Sequence, residues 1–177
     1  VQQWTYDNPG SQDFRKVVIS ADGSYIVLSG FQNVRVFQKD SSTPVIDIST
    51  DNNYGIAISG NGKYFATCGN EYISFYSTSS STPLWSHTHT TYGSGQGYEC
   101  RYNDYGNTVT ISDDGNYVAI ATQSSIAFRA FNASTGKSIL AMSGPSTPFS
   151  VDLSSDGKYL VSGDYYEVRA YELSPTT

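Results

Sequence analysis

"ISADGSYIV", residues 19 to 27, is the first of four versions of one phrase. It returns as "ISGNGKYFA" at 58 to 66, "ISDDGNYVA" at 111 to 119 and "LSSDGKYLV" at 153 to 161. Aligned on Gly23, Gly62, Gly115 and Gly157, the copies are 39, 53 and 42 residues apart. A short alternating run precedes each glycine: "VVIS", "IAIS", "VTIS" and "VDLS". A second run follows, led by Tyr25, Tyr64, Tyr117 or Tyr159. Alternation at period two is the mark of a strand with two distinct faces. The Asp-Gly or Asn-Gly between the runs predicts a hairpin turn, because glycine accepts the positive φ that tight turns require.

A third strand is expected around Val34, Ile73, Ile126 and Val168, nine residues beyond each tyrosine. A polar turn follows ("KDSSTP", "TSSSTP", "NASTGK"), then a fourth run: "VIDI", "LWSH", "SILAM". Four antiparallel strands in about forty residues, repeated, is the pattern of a β-propeller blade. One blade cannot bury its own faces, and stacked neighbours bury them for each other.

The copies resemble the WD-repeat-like and quinoprotein-like (PQQ-type) propeller repeats of prokaryotic cell-surface proteins. The resemblance rests on "ISxDGxYIV", on "SSTPLW" ending at Trp85 and on "STGKSIL" at 134 to 140. It spans nearly the whole chain and implies the blade, not a particular activity. The Gly-His and Trp-Asp pairs of true WD repeats are missing, so that family's Asp–His network is not carried over. Nor does the resemblance imply a quinone or any other cofactor.

The expected fold is therefore all-β: a single β-propeller domain over 1–177 with four four-stranded blades. The blades fall at about 14–49, 54–89, 106–143 and 148–173, the last joined by residues 1–7. Copy four lacks a fourth strand, whereas "VQQWTYDNPG" at the start reads as a fourth strand with no blade before it. Trp4 there matches Trp85 of "TPLWSHTHT". The chain begins at Val1, as a processed product or a piece of something longer would. Three arrangements fit this split blade. The N-terminal strand completes the last blade of its own chain, or that of a neighbour, or the chain is a segment of a larger propeller.

Composition narrows the function classes. The net charge is −6, only 15% of residues are charged, and the basic residues are never clustered. Nucleic acid, which demands a basic face, is not an expected partner. Membrane insertion is not expected either, since no run of 18 apolar residues exists. Fifteen Tyr, eight Phe and two Trp enlarge what each apolar position buries in a chain only 38% hydrophobic.

The 53-residue spacing contains an insertion, "HTHTTYGSGQGYECRYNDYGNT", residues 87 to 108. Such connections lie on the faces of a propeller ring. Tyr92, Tyr98, Tyr102 and Tyr105 make it a candidate binding loop for a protein or a sugar, with a self-packed surface loop as the plainer reading. His87 and His89 point the same way along a strand and are weak metal candidates, because two ligands alone do not define a site. The Asp-Gly turns at Asp22, Asp114 and Asp156 lack the run of oxygen ligands that a calcium loop needs. Cys68 and Cys100 are compatible with one disulfide, worth about 3 kcal/mol through the unfolded chain, and equally with two thiols. Asn132-Ala133-Ser134 is an N-glycosylation sequon in a turn. Arg35 and Arg169 hold equivalent positions, with Ser74 and Ala127 there in the other copies.

No catalytic constellation is legible: there is no G-x-S-x-G, no phosphate loop and no framed carboxylate pair. The expectation is a non-enzymatic scaffold, extracellular or at the cell surface, that presents a protein-interaction or assembly surface and self-assembles by strand exchange. A lectin-like propeller is the alternative, and a glycan-active enzyme in the central channel a more distant one.

Overall fold

The computed structural model describes residues 1–7, 13–50, 53–69, 72–88, 100, 108–122, 127–143 and 150–173. These form four antiparallel sheets, each a meander of consecutive strands. Blade one holds β1 (Phe14–Ile19), β2 (Tyr25–Gly30), β3 (Asn33–Gln38) and β4 (Ile46–Ser49). Blade two holds β5 (Asn53–Ile58), β6 (Tyr64–Gly69), β7 (Tyr72–Ser77) and β8 (Trp85–Thr88). Blade three holds β9 (Val109–Ile111), β10 (Tyr117–Ala121), β11 (Phe128–Asn132) and β12 (Ser138–Met142). Blade four holds β13 (Ser150–Leu153), β14 (Tyr159–Gly163) and β15 (Val168–Glu172). The architecture is a β-propeller, and among the described residues no helix is present.

Each repeated phrase forms the first hairpin of its blade. Gly23, Gly62, Gly115 and Gly157 all adopt φ near +70° (73°, 68°, 78° and 68°), the left-handed turn conformation that a Cβ penalises. The preceding Asp or Asn locks the turn. Asp22 Oδ1 accepts from Ser20 Oγ at 2.6 Å and from Ser24 N at 2.9 Å. Asp114 and Asp156 repeat the arrangement, and Asn61 does so with a neutral amide.

The core lies between blades, not within them. One cluster joins Val27, Val34, Val36 and Ile46 of blade one to Ile56, Phe65 and Tyr76 of blade two. A second joins Ile73, Phe75 and Cys68 of blade two to Val109, Val118, Ile120 and Phe131 of blade three. A third joins Ala119, Phe128 and Ala130 of blade three to Val151, Leu160 and Leu173 of blade four. The innermost strands β1, β5, β9 and β13 touch in sequence, and no comparable contact joins β13 back to β1. Four blades therefore make an arc with two ends.

Register corrects one alignment. Tyr25, Tyr64, Tyr117 and Tyr159 pair with Gln38, Ser77, Asn132 and Glu172. Counting back from these partners, the third-strand residue of blade three equivalent to Val34, Ile73 and Val168 is Phe128. Ile126 lies outside the described residues. The hairpin of blade three is two residues longer, which a fixed nine-residue count could not accommodate. The residue equivalent to Arg35 and Arg169 is then Arg129, not Ala127, so three of the four blades carry arginine there.

Blade four has three strands among the described residues. Residues 1–7, expected to supply its fourth, form no strand in this chain and lie against blade one. The reason is aromatic packing. Trp4 stacks on Phe37 at 5.7 Å between centroids, and Tyr6 meets the same ring edge-on at 5.0 Å. Completion of blade four by the chain's own N-terminus is thus not made here, and the other two arrangements, a neighbour's strand or a longer propeller, both fit.

Candidate functional site

The junctions between blades follow one rule, which shows what the two ends lack. The tyrosine that leads each second strand lies over the turn glycine of the next blade. A Cβ on Gly62 would stand 3.2 Å from Tyr25 Cδ2, and one on Gly115 would stand 2.5 Å from Tyr64 Cδ2. A Cβ on Gly157 would overlap Tyr117 outright. Backbone bonds run beside these contacts, from Ala21 N to Gly60 O (3.0 Å), Asn61 N to Asp113 O (2.9 Å) and Asp113 N to Ser155 O (2.9 Å). The series leaves one tyrosine and one glycine over. Tyr159 is 53% exposed, and among the described residues nothing beyond its chain neighbours comes within 4 Å of a would-be Cβ on Gly23.

The sheet faces show the same two ends. Ile56, Val109 and Val151 are at most 1% exposed beneath a preceding blade, but their equivalent in blade one, Val17, is 63% exposed. Ile19 beside it is exposed as well. Val27, Ala66 and Ala119 are fully buried beneath a following blade, but their equivalent in blade four, Val161, is 42% exposed. Val168 is 82% exposed where Val34, Ile73 and Phe128 are buried. Apolar residues in blade-packing positions thus meet solvent at both ends.

The outer rim has its own junction contact. Trp85 of β8 meets Phe131 in a tilted contact at 5.7 Å between ring centroids, and its Nε1 donates to Ala133 O at 2.6 Å. Gly136, at φ 66°, leaves room for the indole, since a Cβ there would approach Trp85 Cγ to 2.9 Å. Trp4 does the same to blade one, its Nε1 donating to Lys39 O at 2.7 Å. Lys39 follows Gln38 as Ala133 follows its register equivalent Asn132. Trp4 therefore occupies the position of a fourth-strand residue from a blade that would precede blade one.

The sequence candidates fall in different places. Tyr92, Tyr98, Tyr102, Tyr105 and His89 lie outside the described residues. His87 sits inside the junction of blades two and three, its Nε2 2.6 Å from Gly136 O and its ring stacked on Phe131 at 5.5 Å. His87 is thus packed between two blades, with one ring nitrogen engaged by a backbone carbonyl. Cys68 and Cys100 form a disulfide. It ties the end of β6 to Cys100, whose N also donates to Gly69 O and which bridges to Thr122 at the end of β10 in blade three. Asn132 Oδ1 accepts from Ser134 Oγ and from Thr135 N and Oγ1, so the sequon is folded into the turn before β12.

Two of the three equivalent arginines pair within their own blades. Arg35 Nε donates to Asp47 Oδ2 at 2.9 Å, with the guanidinium 5.5 Å from the Tyr6 ring. Arg169 pairs with Asp164 and Glu167. In blade two a Ser74–Ser86 hydrogen bond of 2.7 Å holds the place of the Arg35–Asp47 pair. Reading from sequence missed the tyrosine-on-glycine rule. Its signal was present, because both residues belong to the repeated phrase, but which blade each touches is a tertiary fact.

Comparison with known proteins adds the fold. No protein-family model and no curated protein matches the chain. Among solved structures it is similar to Kuenenia stuttgartiensis hydrazine synthase, at 14% identity and a TM-score of 0.67. The match covers 96% of this chain and 49% of that one, so the chain spans about half the length of the solved chain it matches. At this identity the likeness is one of fold alone.

Proposed function

We propose that this chain is a non-catalytic propeller scaffold that presents protein-interaction surfaces, outside the cell or at its surface. The observation that carries the reading is the pair of open blade faces, around Val17 and Ile19 at one end and around Tyr159, Val161 and Val168 at the other. Contiguous apolar residues in solvent mark interaction sites. The disulfide supports an oxidising compartment. So does the resemblance of the repeats to those of cell-surface propellers. A carbohydrate-binding role is favoured by one observation, the exposed pair Tyr165 and Tyr166 with ring centroids 6.3 Å apart beside the open face of blade four.

The test places a photo-crosslinking residue at 17 or 161, with exposed Val45 as the control position. Identified protein adducts at 17 and 161, and not at 45, support the scaffold. Adducts at the end faces no more frequent than at the control overturn it. Binding on a glycan array that is lost on replacing Tyr165 and Tyr166 with Ala transfers the reading to the lectin.

A further inference from the structure

We propose that the partner of each open face is a second copy of this chain, and that two copies close head-to-tail into an eight-bladed ring. This rests on the scaffold reading above and names its partner. The two ends are the two halves of a junction that the chain already makes three times. Blade four offers a tyrosine without a glycine (Tyr159), and blade one a glycine without a tyrosine (Gly23). Blade four exposes Val161 and Val168, whose equivalents are covered by a following blade. Blade one exposes Val17, whose equivalents are covered by a preceding one.

The N-terminal segment supplies the remaining part. In the third and fourth strands Val36 pairs with Ile46, Phe75 with Trp85 and Ala130 with Leu140. Their equivalent on β15 is Ala170, which has no such partner among the described residues. Trp4 already sits on blade one as Trp85 sits on blade three. Seating blade one of a second copy on blade four, by the relation of blade three to blade two, carries that copy's Trp4 to the position opposite Ala170. Residues 1–7 then run beside the open edge of β15 as its fourth strand, and strand addition there supplies a ladder of backbone hydrogen bonds. Two copies give eight blades, within the range propellers adopt, and three would exceed it. The contact is heterologous, and a ring is its closed form.

The experiment is light scattering after size exclusion on residues 1–177 over a wide concentration range, with two face variants. Val17→Asp spoils only the blade-one face and Val161→Asp only the blade-four face. Both positions are solvent-exposed in the single chain, so each variant is expected to keep its circular dichroism and melting behaviour. The expected result is a particle of twice 19.3 kDa for the unaltered chain. Each variant alone dimerises at least tenfold more weakly. An equimolar mixture of the two regains dimer, because one intact junction joins a Val17→Asp chain to a Val161→Asp chain. A monomer at every concentration overturns the proposal, as does a mass that climbs without limit or a dimer indifferent to both substitutions. If the chain is monomeric and position 161 still crosslinks to another protein, the scaffold reading stands and the second copy falls.

Discussion

At the residue scale, the repeated phrase builds a turn that is also a joint. The carboxylates of Asp22 and Asp156 are held at about 2, below the ordinary 3.8. Ser20 Oγ leads the hydrogen bonds responsible at Asp22, followed by Ser24, and Ser154 Oγ leads at Asp156, followed by Lys158. Asp114 is lowered too: burial works to raise it, and bonds from Ser112 and Asn116 outweigh that. A carboxyl whose pKa falls on folding contributes stability that is complete above its unfolded value and is lost as pH drops through the folded one. Thermal stability is therefore expected to decline between pH 3.8 and about 2. The double variant Asp22→Asn/Asp156→Asn should decline less steeply, because an amide in that turn accepts the same bonds, as Asn61 does, without titrating. Melting temperature against pH for both chains checks this, and parallel curves would remove the two turns from the acid response.

At the scale of elements, blades two and three make the most heavily fastened junction. It holds the aromatic cluster of Phe75, Trp85 and Phe131, the two ring-nitrogen contacts with blade three, and the disulfide. Cys68 and Cys100 are 32 residues apart and both fully buried. Closing a loop of that length restricts the unfolded chain by about 3–4 kcal/mol. Replacing both cysteines with alanine is expected to cost that much in a urea titration, with the propeller retained. A loss below about 1 kcal/mol would mean that the unfolded chain is already compact around this loop.

At the scale of the molecule, blade four is packed on one face and blades two and three on both. Opening free energy follows buried contact. In dilute single chains, amides of β14 and β15 should exchange faster than those of β6, β7, β10 and β11 by roughly an order of magnitude or more. Hydrogen exchange read by mass spectrometry measures the order, and uniform protection across the four blades would contradict it. The two open ends are where this fold departs from a closed ring, and the residues there are those of the interior.

Four copies of one phrase were enough to specify the blades, their hairpins and their order, because strand alternation and turn glycines are local and every copy carries them. The disulfide was legible only as one of two options, since spacing does not bring two sulfurs together. The place of Arg129 was misread from spacing, because a two-residue lengthening of one hairpin is visible only in the register of paired strands. Trp4 was recognisable as a fourth-strand residue by its likeness to Trp85, yet the sequence could not say which blade it meets. Packing settles that, since the indole needs an aromatic floor and a carbonyl acceptor, and Phe37 and Lys39 of blade one provide both. Local sequence determined each blade. Only the tertiary structure decided which faces are covered, because burial is a property of neighbours and the first and last blades each lack one.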